Sequence, residues 1–218
     1  MIEPPRVLSV NVGVPRPITA KTGVSAIDKR PVDDPVEVSA PAARGASGLL
    51  GDAICDAEHH GGPDQAVYAY AREDLDHWEA ELGRTLTSGS FGENLTTRGL
   101  EVTGAVIGER WRIGDDLLLR VTVPRVPCRT FAVWLDRQGW VKTFTEAAAP
   151  GAYFKVLRPG AVRAGDPVEV VDRPAHGVTI GLAFRALTLE PDLLPRLLAA
   201  DDLPEGIRAK AVRRLGAR

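Results

Sequence analysis

Cys55 and Cys128 are the only thiols in a chain of 218 residues. A disulfide-stapled scaffold is thereby excluded, and each thiol has to be explained by packing, metal or chemistry. An excess of one charge is also lacking: 27 Lys and Arg stand against 29 Asp and Glu, for a formal net charge of −2. That balance supplies no basic field for nucleic acid or an anionic membrane. No apolar run reaches the length of a membrane span, and the amino terminus lacks the basic segment, apolar core and small-residue cleavage site of a secretion signal. The expectation is a cytoplasmic protein with neither nucleic acid nor membrane as partner. Equally missing are a Walker loop, a G-x-S-x-G elbow, an H-E-x-x-H helix, a C-x-x-C pair and any internal repeat.

What is present is ordinary globular composition, 44% hydrophobic and 26% charged, at a length suited to one substantial domain or a domain with an appendage. The 22 Gly and 17 Pro make the chain rich in turns, so many short strands are expected. "RVLSVNVG" (residues 6–13) reads as a first strand, "PVEV" (35–38) as a short one, and "AVYAY" (66–70) as a buried one. "REDLDHWEAELG" predicts a helix with Leu75, Trp78 and Leu82 on one face, acidic residues in its first turn and Gly83 at its end. "PAARGASGLLG" (41–51) is a loop. From Val106 the period becomes two, and "VIGERWRIG" and "LLLRVTV" form a hairpin about Gly114-Asp115, with Pro124 ending the second strand. "PVEVVDR" (167–173) is the last strand. Beyond Pro174, Pro191 and Pro204 divide three short helical runs: 179–187, 192–200 and 205–215. The division expected is a β-rich body over 1–173 and a helical appendage over 174–218.

The candidate chemistry centres on "VPRVPCRTF" (123–131). Cys128 lies just past a strand end, between two prolines and beside Arg125 and Arg129, a cationic setting that favours a thiolate as nucleophile or soft-metal ligand. The alternative is a cysteine packed under a Pro-rich turn. In "EHHGGPDQAVYAY" two histidines precede paired glycines, which let backbone approach a ligand or simply serve a turn. "GSFGENL" (89–95) presents Glu93 and Asn94 between glycines, again a ligand loop or a turn. A zinc site from Cys55, His59, His60 and Cys128 fits no paired-ligand spacing. His77 and His176 gain no catalytic role.

Taken in order, "SAIDKRPV" (25–32), "GLLGD" (48–52), "HGGPDQAVYAY" (60–70), "FGENLTTRGL" (91–100) and "PRVPC" (124–128) resemble the MOSC domain, named after the carboxy-terminal domain of molybdenum cofactor sulfurases. Within that family the chain is similar to the YiiM-like branch, whose three-helix (3-alpha) extension the tail "GVTIGLAFRAL" matches. The resemblance implies a mostly β fold with some α, a MOSC-type β-barrel body holding the molybdenum cofactor (a molybdopterin with Mo) and followed by the three-helix appendage. It also implies reduction of N-hydroxylated compounds, such as 6-N-hydroxylaminopurine bases and amidoximes, to amines or amidines, with no need of pyridoxal phosphate.

By the same resemblance, Cys128 supplies a thiolate to molybdenum. Ser25 and Lys29 bind phosphate or pterin oxygens, and Arg125 binds the phosphate through paired charge-assisted bonds. His60, whose register Gly61-Gly62 fix, and Asn94 hydrogen-bond the pterin or the oxo groups, and His60 can deliver a proton. Thr130 stands where relatives often carry a basic residue. The reaction consumes two electrons and two protons, and no flavin, haem or iron–sulfur motif is visible, so a separate electron-donating reductase is the expected partner. The competing reading is a sulfur or cofactor carrier with a persulfide on Cys128. A third is a scaffold that docks through Leu193, Leu194, Leu197 and Leu198, which otherwise pack within the tail or against the body. Oligomeric state is left open.

Overall fold

The computed structural model describes residues 3–20 and 22–217. β1 (Arg6–Gly13) leads into short strands β2 (Arg16–Pro17), β3 (Val24–Ser25), β4 (Lys29–Val32) and β5 (Val36–Val38). The apolar run of β6 (Val67–Ala71) is buried at every position and passes directly into α1 (Arg72–Leu82). That helix forms as its sequence requires: Glu73 and Asp74 occupy the first turn, Leu75 and Trp78 are buried, and Gly83 at φ 64° supplies the left-handed cap. β7 (Leu95–Arg98) precedes the hairpin of β8 (Arg110–Ile113) and β9 (Leu117–Pro124), in register at Ile113 and Leu117.

Past Pro124 the chain forms two helices that local sequence did not announce, α2 (Arg129–Trp134) and α3 (Trp140–Ala147). Neither has a side-chain N-cap bond, and their caps are Cys128 and Gly139, so the usual start signal is missing. β10 (Ala152–Arg158), β11 (Gly160–Val162) and β12 (Val168–Asp172) complete the sheets, and α4 (Ile180–Thr188), α5 (Leu194–Leu197) and α6 (Glu205–Gly216) form the tail. Thr179 caps α4 by accepting from Leu182 N at 3.1 Å.

Eight strands make one sheet in the order β12-β8-β9-β10-β6-β7-β1-β4, with β6 and β7 its parallel pair. The mostly β body with some α is as expected, and its large sheet approaches a barrel without closing into one. The start of β1 meets the approach to β12 through Val7 N to Asp166 O (2.9 Å), Gly165 N to Val7 O (2.8 Å) and Val168 N to Pro5 O (3.0 Å). No continuous ladder joins them among the described residues. Pro4, Pro5 and Pro167 bring no N–H to that seam, which limits the pairing.

One core runs through sheet and tail. Val7, Leu119, Val121 and Phe154 belong to the same buried cluster as Ile180, Ala183, Leu194 and Leu197. Backbone bonds from Ile107 N to Val178 O and from Ile180 N to Ala105 O, both 2.9 Å, stitch the tail to the body, with an Arg120–Asp202 ion pair at 2.5 Å beside them. The four tail leucines are therefore packing residues: Leu194 and Leu197 are fully buried, and Leu193 and Leu198 pack against the same core. No described helix is long and apolar enough to cross a membrane.

A second cluster gathers all three tyrosines with Trp78, Trp140, Phe91, Phe131 and Phe144, and Cys128 packs against it. Phe131 sits edge-on to Phe91, Phe144 and Trp140 at 5.0, 5.3 and 5.4 Å, the geometry aromatic quadrupoles prefer. This rigid wall lies behind the segment that carries Arg125 and Cys128.

Candidate functional site

Strand ends and the loops that leave them converge on one cleft. β3 contributes Ser25 and β4 Lys29, the loops after β5 bring Ser47, Cys55, His60 and Gln65, and β6 adds Tyr68. Asn94 precedes β7, Arg125 and Cys128 follow β9, and Tyr153 comes from β10. All six residues singled out from the sequence, Ser25, Lys29, His60, Asn94, Arg125 and Cys128, line it. The cleft spans about 730 Å³ of space between the atoms, open solvent at its mouth included.

Two glycines let the loops close around this space. Gly61 adopts φ 78°, and a Cβ there would approach the Ala46 carbonyl oxygen to 2.8 Å. Gly89, at φ 88°, lies against the Lys29 carbonyl, where any side chain would collide. The Gly89 loop is locked from within by Glu93. Its buried carboxylate accepts from Gly89 N (2.6 Å), Phe91 N (2.9 Å) and Thr96 Oγ1 (2.9 Å), while burial pushes its pKa up. Glu93 is thus a structural anchor, and its neighbour Asn94 is the residue delivered to the cleft.

The cleft floor rests on Asp52, which belongs to the "GLLGD" block but carried no expected role. Its side chain is fully buried and pairs with the Lys29 ammonium. It also accepts from Gly13 N at 2.8 Å, Ser47 Oγ at 2.7 Å and Asn94 Nδ2 at 2.9 Å. Asn94 Oδ1 in turn accepts from Tyr68 N at 3.1 Å. The Asn94 amide is therefore already occupied in joining Asp52 to β6. Burial lowers the pKa of Lys29, and Asp52 opposes that shift.

Arg125 is 4% exposed and takes part in no ion pair among the described residues. Its guanidinium carbon sits 3.9 Å from the Phe131 ring centroid and 5.5 Å from that of Tyr68. Nη1 is buried without a hydrogen-bond partner. A desolvated cation with an idle donor is suited to an anion, since leaving such a donor unpaired is costly. Arg129, its expected companion, is exposed and off the cleft wall.

Cys128 extends from the turn after Pro124 and caps α2 through its backbone, its carbonyl accepting from Ala132 N at 3.2 Å. Its half-buried thiol lines the cleft. Cys55 lines it too, and burial pushes its thiol pKa up. His60 Nδ1 lies 3.3 Å from Tyr153 Oη, and burial followed by the nearby Arg125 charge lowers its pKa to about 4. At neutral pH the imidazole is uncharged. His59 is exposed and faces Asp56 at 3.0 Å. No group of three or more His, Cys, Asp or Glu suited to a metal ion occurs among the described residues.

The residues that sequence reasoning passed over are Asp52, Tyr153 and Gln65. Asp52 and Gln65 stood inside quoted blocks, so their place in order was the available signal, whereas Tyr153 is one aromatic in an unremarked strand. Comparison with known proteins is in keeping with this architecture. The sequence profile of the MOSC domain matches residues 56–169. The uncharacterised protein YflK of Bacillus subtilis is 34% identical over 82% of this chain and 79% of its own length. YiiM of Escherichia coli is 32% identical over 72% of this chain and 71% of its own. A protein of Gibberella moniliformis named reductase is 32% identical over 69% of this chain, which amounts to 26% of that protein. The crystal structure of YiiM from Geobacillus stearothermophilus superposes with a TM-score of 0.79 at 29% identity, covering 97% of this chain and all of that one.

Proposed function

The chain belongs to the MOSC domain family, and from that premise we propose that it binds the molybdenum cofactor and reduces small N-hydroxylated compounds to amines or amidines. The observation that carries this reading is the meeting, in one cleft, of the Cys128 thiol with the buried Arg125, whose Nη1 has no hydrogen-bond partner. The donor set fits the group: a thiolate suits a soft metal, and a buried guanidinium suits a phosphate. When bound, the cofactor supplies the two-electron chemistry, and the protein supplies position and electrostatics.

The roles of the chain's own residues follow from their surroundings. Cys128 ligates the metal, and Arg125 holds an anionic group against the aromatic wall. Lys29, tethered by Asp52, adds a second buried positive charge. Asn94 contributes mainly by fixing Asp52. Neutral His60 binds as a hydrogen-bonding group rather than as an imidazolium, and its contact with Tyr153 provides a route for exchanging a proton with the cleft. Ser25 Oγ accepts from Ile27 N at 3.2 Å, which leaves its own hydroxyl proton free to donate. Electrons arrive from a separate reductase.

The test is turnover of an amidoxime by protein purified from cells that make the cofactor, with an artificial low-potential electron donor. Amidine formation that disappears in Cys128→Ala supports the reading. A loaded protein that forms no amidine, and instead carries a transferable persulfide on Cys128, favours the sulfur-carrier alternative.

A further inference from the structure

The Tyr153 hydroxyl meets two of the cleft residues already assigned. Tyr153 sits near the start of β10, its ring tilted on that of Tyr68 at 5.0 Å and its carbonyl accepting from Thr122 Oγ1 at 2.9 Å. The phenol is therefore fixed in place. Its Oη lies 3.3 Å from His60 Nδ1, and the Arg125 guanidinium reaches the same oxygen. Burial pushes the Tyr153 pKa up, with Arg125 opposing that shift, so the hydroxyl keeps its proton at neutral pH.

Donors and acceptors then decide where the protons sit. A guanidinium has only donors, so Tyr153 Oη turns its lone pairs toward Arg125 and its proton away. That proton goes to His60 Nδ1, the acceptor within reach, which must then be the bare nitrogen of the ring. With its pKa lowered to about 4 by burial and by the Arg125 charge, the imidazole is neutral and carries one proton, on Nε2. Nε2 makes no hydrogen bond among the described residues and is not enclosed, so His60, which lines the cleft, has this nitrogen open to it. We propose that Tyr153 is a positioning residue that holds His60 in the Nε2-protonated tautomer, so that the ring offers the cleft an N–H donor for an oxygen of the bound ligand. The tautomer stands on this geometry alone, whereas identifying that oxygen with the hydroxyl of an N-hydroxylated substrate rests on the proposed function.

Nitrogen NMR of the full-length, cofactor-free protein labelled in histidine reads the tautomer directly, with His60 identified as the ring missing from His60→Gln. At neutral pH the wild-type ring should carry its proton on Nε2 and show a bare, hydrogen-bonded Nδ1. In Tyr153→Phe, which keeps an aromatic ring in the same packing, the Nδ1 resonance should move to the position of an acceptor without a donor. A wild-type ring protonated on Nδ1 would overturn the proposal, and that result needs no variant. An Nδ1 resonance unmoved in Tyr153→Phe would overturn it as well. In cofactor-loaded protein, Tyr153→Phe should lower kcat for an amidoxime severalfold to about tenfold at unchanged molybdenum content, the effect of one lost hydrogen bond. An undiminished kcat would overturn the ligand contact. A wild type that holds no cofactor would remove the proposed function, while the nitrogen resonances would still decide the tautomer.

Discussion

Lys29 and Asp52 form a buried ion pair beneath the cleft, and that pair ties three separate segments of the chain to one carboxylate. Asp52→Asn leaves the Lys29 ammonium buried without its countercharge. Breaking such a pair costs about 3–5 kcal/mol. Denaturant unfolding should show that loss in the single variant and a smaller loss in Lys29→Met/Asp52→Asn, where the stranded charge is also gone. Simple additivity of the two single losses would show that the pair is not coupled.

Arg125 predicts a different balance. Its contacts with Phe131 and Tyr68 contribute about 1–2 kcal/mol, while its unpaired Nη1 costs a comparable amount. Arg125→Met should therefore change cofactor-free stability by no more than about 1 kcal/mol. Millimolar inorganic phosphate should raise the Tm of the wild type and leave that of the variant unmoved. Equal stabilisation of both would place the anion elsewhere.

Phe131 carries more of the fold than its short helix suggests. Phe131→Ala empties the centre of the aromatic cluster and should cost about 3–5 kcal/mol in urea unfolding. Phe131→Leu retains most of the volume and should cost under about 1.5 kcal/mol. If the two variants unfold alike, the cluster is not the wall that holds the Arg125 segment.

The pKa of His60, lowered from 6.5 to about 4, makes the free protein sensitive to acid. Between those values the unfolded chain binds the proton that the folded chain refuses, so stability falls as pH drops from about 6.5 to 4. A substitution that cannot titrate, His60→Gln, should flatten this slope relative to the wild type in melts recorded at each pH. Parallel slopes would mean that His60 is ordinary and solvated.

Much of this was legible in local pattern. The strand at Arg6–Gly13, the helix ending at Gly83, the hairpin about Gly114 and the three tail helices each follow from alternation, periodicity or a Pro and Gly boundary. The helices after Cys128 were not legible, because neither begins with a side chain that caps. Asp52 was hidden for another reason: its role exists only where Gly13, Lys29, Ser47 and Asn94 meet, and no local pattern carries that meeting. Incomplete closure of the sheet is likewise a property of the distant seam between Pro5 and Pro167, two residues that each read locally as a strand boundary.

The most direct test of the account is the molybdenum and pterin content of the wild type and Cys128→Ala, both purified folded from cells that make the cofactor. The account predicts near-stoichiometric metal and pterin in the wild type, and in the variant either loss of the metal or one fewer sulfur in its coordination. A folded wild type with neither metal nor pterin would contradict it.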